Sequence, residues 1–119
     1  MTITTNIVIR HTPLCGAEFK ESIDLGLVCA AFDHKVNLIF VGDGIYNLIS
    51  NQSNSIINDK NQVDILKGLE FYDIDSLLVE HESLEKTDIE RLKLLDQVKI
   101  KSRKEIKQLN LAANHLVAF

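Results

Sequence analysis

The chain has 119 residues, 45% of them hydrophobic and 25% charged, with a formal net charge of −4. That length holds one domain of ordinary globular composition, and no apolar run approaches the ~18 residues of a membrane span. An acidic balance gives no general attraction to polyanions, so nucleic-acid binding would need a local basic patch.

NIVIR, Asn6–Arg10, is rich in β-branched residues and predicts a first strand. The start of the chain has no charged stretch leading into an apolar core. No signal peptide is therefore expected, and the chain is expected in the cytosol. The loop His11–Gly16 holds the only proline, Pro13, and the first of two cysteines, Cys15. A cysteine is a nucleophile only as the thiolate, so Cys15 would need a nearby cation or helix start; His11 is its local candidate. No motif supports it further, and it stands as a weak catalytic candidate.

A helix is predicted from about Ala17 to Phe32, with Phe19, Ile23, Leu27 and Ala30 or Ala31 on one face. Its last part, IDLGLVCAAF, is apolar almost all round. A helix that is hydrophobic on every side is normally buried on every side. In a small α/β domain its outer face would meet water. A partner subunit is therefore expected to cover it at Ile23, Leu27, Val28, Ala31 and Phe32. Cys29 lies in this stretch and is expected to pack as a buried, inert hydrophobe. Both cysteines are expected as free thiols. There is no CxxC pair, so no metal site is expected, and no motif calls for a cofactor.

VNLIFV, Val36–Val41, is the continuous apolar run of a strand buried on both faces of a parallel sheet. GDG, Gly42–Gly44, lacks the spacing of a phosphate loop and predicts a tight turn, with a short helix in IYNLIS after it. Asn51–Gln62 is polar and predicts a surface loop. Asp59 is a candidate cap for a helix carrying Val63, Leu66 and Leu69. SLLVE, Ser76–Glu80, is a third strand. TDIE, Thr87–Glu90, fits a capping box. QVKIKS alternates apolar and charged residues, as a strand with one wet face does. SRKE, Ser102–Glu105, fits a second capping box and opens a helix with Ile106 and Leu109. HLVAF predicts a last strand. Lys99, Lys101, Arg103, Lys104 and Lys107 form the basic cluster of the chain. They are expected to guard an edge strand and solvate a helix face rather than to bind RNA or an acidic partner.

Strands and helices thus alternate about five times. That predicts a single α/β domain over residues 1–119, with three layers, a mainly parallel sheet of about five strands and helices on both faces. Ligands of such sheets gather at the carboxyl ends of the strands. His11, Asp43 and His81 fall on that rim, with Cys15 near it.

AAFDHKVNLIFVGDGIYNLISNQ, then LKGLEFYDIDSLLVEHESL, then a short strand ending at Phe119, resemble the TusC/DsrF branch of the DsrE-like sulfur-relay family. The DGIYNL turn, the YDI before the third strand and the ESL after it carry the likeness. It covers nearly the whole chain and rests on order and spacing. The resemblance implies a cytoplasmic dimer of heterotrimers built with TusB-like and TusD-like homologous subunits. Such a complex takes persulfide sulfur from a TusA-like carrier and passes it through a TusE-like carrier toward 2-thiolation of wobble uridine in tRNA. Direct tRNA binding by this chain is not implied. In the family the sulfur-carrying cysteine lies at the end of the third strand. The matching position here falls among Leu78, Val79 and Glu80, none of them a thiol. The resemblance therefore implies a non-catalytic subunit. A DsrF-like subunit of a sulfur-oxidation complex and a thiol sulfurtransferase using Cys15 remain as alternatives.

Overall fold

A computed structural model describes residues 2–11, 18–48, 60–87 and 97–119, without the side chains of 60–63. Cys15, Asp59, the Val63 side chain and most of the Asn51–Gln62 and Thr87–Glu90 segments therefore lie outside what is described. The elements in chain order are β1 (Thr4–Ile9), α1 (Glu18–Ala31), β2 (Lys35–Phe40), a 3₁₀ helix (Gly42–Leu48) and α2 (Lys60–Gly68). A second 3₁₀ turn (Leu69–Tyr72), β3 (Ser76–Glu80), α3 (His81–Glu85), β4 (Val98–Lys101), α4 (Arg103–Ala112) and β5 (His115–Ala118) follow.

The strands form one five-stranded sheet, ordered β4-β3-β2-β1-β5, and every neighbouring pair is parallel. The first four strands step in one direction across the sheet. Right-handed crossovers place the helices between them on one face. The return from β4 to β5 crosses the whole sheet and runs over the opposite face.

The side chains follow this division. Ile7, Ile9, Leu38, Phe40, Leu77 and Val79 face Phe19 and Ile23 of α1, Leu66 of α2 and Leu84 of α3 in one core cluster. Ile39 and Leu78 face Ile106 of α4 in a second, smaller cluster, with Val8 and Leu109 at its margin. The three-layer expectation holds, with unequal layers.

Helix α1 corrects two expectations. Ile23 is only 4% exposed and belongs to the chain's own core, so it is absent from any outer contact face. It shares the inward side with Ser22, Gly26 and Ala30. Cys29 is half-buried rather than buried, packed against the edge of the same core. Both errors have one cause. A segment that is apolar all round has no polar stripe to reveal which side faces the sheet.

The second face carries a polar row. The Asn37 amide donates to Asn6 Oδ1 at 2.8 Å, and the Asn6 amide donates to Asn110 Oδ1 at 2.9 Å. Asn6 is fully buried, so these bonds supply the partners it would have had in water. They also tie β2, β1 and α4 together. Helix α4 opens on the expected capping box. Ser102 Oγ accepts from the Glu105 amide, and Glu105 Oε1 accepts from the Ser102 amide, both at 3.1 Å. These two bonds, backbone first, hold the Glu105 carboxyl below its ordinary pKa.

The GDG segment turns the chain directly into the 3₁₀ helix, so the short helix begins earlier than expected. Gly42 takes a left-handed φ of 53°. Gly44 meets a different demand, because a Cβ there would sit 2.1 Å from the Ile9 carbonyl oxygen. Asn47 locks the turn, donating at 2.9 Å to the carbonyls of Gly44 and His11. We expect Gly44→Ala to push β1 and the turn apart and destabilise the domain by about 2 kcal/mol or more, measured by urea unfolding. Gly42→Ala has open space around its Cβ and should cost only about 1 kcal/mol, from backbone strain alone.

Candidate functional site

Because all five strands are parallel, their carboxyl ends form one rim. His11 follows β1, Asp43 follows β2 and His81 follows β3, so the three expected rim residues share this edge. The His11 carbonyl accepts from Asn47, whereas His81 Nε2 lies 2.8 Å from Glu85 Oε1 along α3. Asp43 is exposed at the start of the 3₁₀ helix.

The best-connected group on the rim is one that the rim reading had not assigned to it, Glu80. Strand β3 sends Leu77 and Val79 to the first face and Leu78 to the second. Alternation then sends Glu80 to the second face, beside the start of α4. Glu80 is 8% exposed. Its Oε1 accepts from the Ser83 hydroxyl at 2.5 Å and from Arg103 Nη2 at 3.1 Å. Ser83 Oγ in turn accepts from the Gly42 amide at 2.9 Å. The Arg103 backbone amide donates to Glu82 Oε1 at 2.8 Å. One carboxylate thus joins the turn after β2, the start of α3 and the first residue of α4. Arg103 stays 60% exposed, and its pair with Glu80 is a contact that the expected cluster did not include.

Burial alone would raise the Glu80 pKa. The Arg103 and Ser83 hydrogen bonds, then the charges of Arg103 and Lys86, outweigh it and hold the carboxyl below its ordinary value. The Arg103 guanidinium is correspondingly raised, chiefly by its hydrogen bond to Glu80. A carboxylate held charged in this way is a structural joint and has no proton to give near neutral pH. Leu78 and Val79 are buried in the two cores. The end of the third strand accordingly presents no thiol and no free nucleophile.

Residues 6–119 match the sequence profile of the DsrE/DsrF-like family. The chain belongs to that family. It is 30% identical to a TusC homologue of Vibrio parahaemolyticus, over 94% of this chain and 95% of that protein. It is 31% identical to a TusC homologue of Pseudomonas aeruginosa, over 77% and 79% of the two chains. The TusC protein of Buchnera aphidicola is 34% identical over 65% of each. The crystal structure of the ychN protein from E. coli superposes on the whole of both chains with a TM-score of 0.78 at 16% identity, a likeness of fold.

This DsrE/DsrF-like chain has a second notable surface, on the first face. Helix α1 and the α2–3₁₀ segment flank an open groove of ≈ 920 Å³, lined by Leu27, Ala31, Ile65, Phe71 and Tyr72 among others. Val28 and Phe32 on α1 are 55% and 74% exposed, and Phe71 is 82% exposed. Four of the five residues expected on an outer face, Leu27, Val28, Ala31 and Phe32, are at least partly open to solvent. Phe71 and Tyr72 were not expected there. Their only signal was two adjacent aromatics in a segment too short to show a period. Among the described residues no three metal-binding side chains cluster, and no helix is long and apolar enough to cross a membrane.

The Glu80 joint makes a pH prediction. A carboxyl whose folded pKa lies below its ordinary value of 4.5 stabilises the fold above that value, and the contribution is lost as pH falls through the folded value. Glu80→Gln should therefore cost about 1–2 kcal/mol at neutral pH, and the deficit should close below about pH 4.5. Urea midpoints of both proteins across that range provide the check. A deficit that does not change with pH would remove the charge from the account.

Proposed function

We propose that this chain is a non-catalytic subunit of a sulfur-relay complex of the TusBCD type, serving 2-thiolation of wobble uridine in tRNA. One observation carries the reading. In a DsrE/DsrF-like chain with TusC homologues as relatives, the third-strand end holds a clasped Glu80 where a sulfur carrier needs a thiolate. Sulfur exchange passes through a sulfur–sulfur intermediate, and a carboxylate cannot form one. The sulfur would then travel on a thiol of the homologous TusD-like subunit and on those of TusA-like and TusE-like carriers. This chain's part is to complete the assembly that holds them.

The apolar face of α1 supports the assembly role. Val28, Phe32, Phe71 and Tyr72 are large apolar side chains that are each more than half exposed, and exposed apolar patches mark candidate contact surfaces. On this reading a homologous subunit covers them, in the cytosol and away from membrane and tRNA. Isolated chain should self-associate or precipitate, and co-expression with its two homologues should rescue it. Phe32→Glu should abolish that rescue while leaving the fold intact, because Phe32 lies outside the core. A well-behaved monomer by light scattering, unchanged by added partners, would contradict the assembly role.

The thiols give the second test. Cys29 is pinned against the core edge, and Cys15 has only His11 beside it in sequence. Imidazole is mostly neutral at physiological pH. Cys15→Ser, and the double change with Cys29→Ala, should retain tRNA 2-thiouridine in cells, read by nucleoside mass spectrometry. Cys29→Ala should cost about 1 kcal/mol in packing, so assembly is verified first. Loss of 2-thiouridine in an assembled Cys15→Ser complex would instead favour the thiol sulfurtransferase.

A further inference from the structure

Among the described residues one helix, α4, covers the second sheet face, and it leaves a groove of ≈ 370 Å³ on its β4 side. Asn37 and Ser76, paired across β2 and β3, lie on its floor, and Leu78 and Leu109 supply an apolar strip. Lys35, Lys99 and Lys101 supply the cations. Only Lys101 is partly neutralised, by Glu105 at 3.8 Å. Among the described residues Lys35 and Lys99 have no ion-pair partner, although the whole chain is acidic at −4. Asn37 is only 5% exposed, and among the described residues its amide group is held only on the Asn6 side. Ser76 Oγ likewise has no bond within the described residues.

We propose that this groove docks an extended acidic segment of a partner protein. The register sets the spacing. Lys99 lies in the row of Leu78 and Ile39, two strands across and four residues along from Lys35. At ordinary strand spacings that diagonal is about 16 Å, the span of about five extended residues. Carboxylates at the two ends of such a segment would meet Lys35 and Lys99. Its backbone would cross the spare donors of Asn37 and Ser76, and a central apolar side chain would rest on Leu78 and Leu109. A nucleic-acid strand fits less well, because no aromatic side chain lines the groove for a base to stack on. The proposal is independent of the sulfur-relay reading, since it uses neither thiols nor the α1 face.

The test is fluorescence anisotropy of a short labelled peptide with glutamates flanking a central leucine, added to the full chain in its purified assembly. A single-stranded RNA oligonucleotide of equal charge serves as the competing ligand. Binding of the peptide should weaken with salt, and Lys35→Glu with Lys99→Glu should weaken it about tenfold or more. Lys20→Glu makes a charge change of the same sign on α1, over the opposite face, and should alter binding by less than about twofold. If the double reversal fails to fold by circular dichroism, Lys35→Gln with Lys99→Gln replaces it and should weaken binding about threefold or more. Absence of peptide binding, an equal effect of Lys20→Glu, or preference for the RNA would each overturn the proposal.

Discussion

Four strands are laid side by side in chain order, and the fifth must return to the opposite edge. Much of the molecule follows from that single reversal. Right-handed crossovers commit α1, α2 and α3 to one face and, among the described residues, leave α4 alone to cover the other. The first face therefore has the large apolar core. Among the described residues the second is bridged by one ten-residue helix over five strands, and part of it is polar. The Asn6–Asn37–Asn110 row and the lysine-lined groove are that polar part. Without the asparagine bonds, a fully buried amide on β1 would stand unpaired at a cost of about 1–3 kcal/mol.

The same reversal determines what the strand-end rim can hold. Helix α4 starts beside the end of β3, so its first residue, Arg103, reaches Glu80 directly. Ser83 and Gly42 complete a junction in which each hydrogen bond meets a different element. Such a junction fixes the relative position of three loops while contributing no reactive atom. That fits a member of a sulfur-relay assembly whose chemistry is carried on other subunits. The paired carboxylate that ties this junction together also means that no thiol stands at this point.

The strands were legible because they are apolar runs bounded by turn residues. SLLVE matches β3 to the residue, and the others differ from expectation by one or two positions at an end. Helix α1 ends at Ala31 rather than Phe32, where Asp33 adopts a left-handed φ of 64°. The capping box at Ser102 was readable because its signal is local. Helix α3 was missed, since five residues are too few to show a helical period. The asparagine row was invisible because its members lie 31 and 104 residues apart. Glu80 left a faint trace, an acidic residue closing an otherwise apolar strand, but nothing in the chain pointed to Arg103 as its partner. The outer face of α1 was half legible. Its apolar character was plain, whereas the side on which Ile23 and Cys29 fall needed the sheet beneath it.

The central claim is that sulfur passes through the assembly without being carried by this chain. Intact-protein mass spectrometry of the co-purified complex, after incubation with a persulfide-loaded donor and without reductant, tests it directly. The account predicts added sulfur on a homologous partner subunit and none on this chain, whether or not Cys15 and Cys29 are present. One added sulfur per copy of this chain, lost on changing Cys15 to Ser, would contradict it.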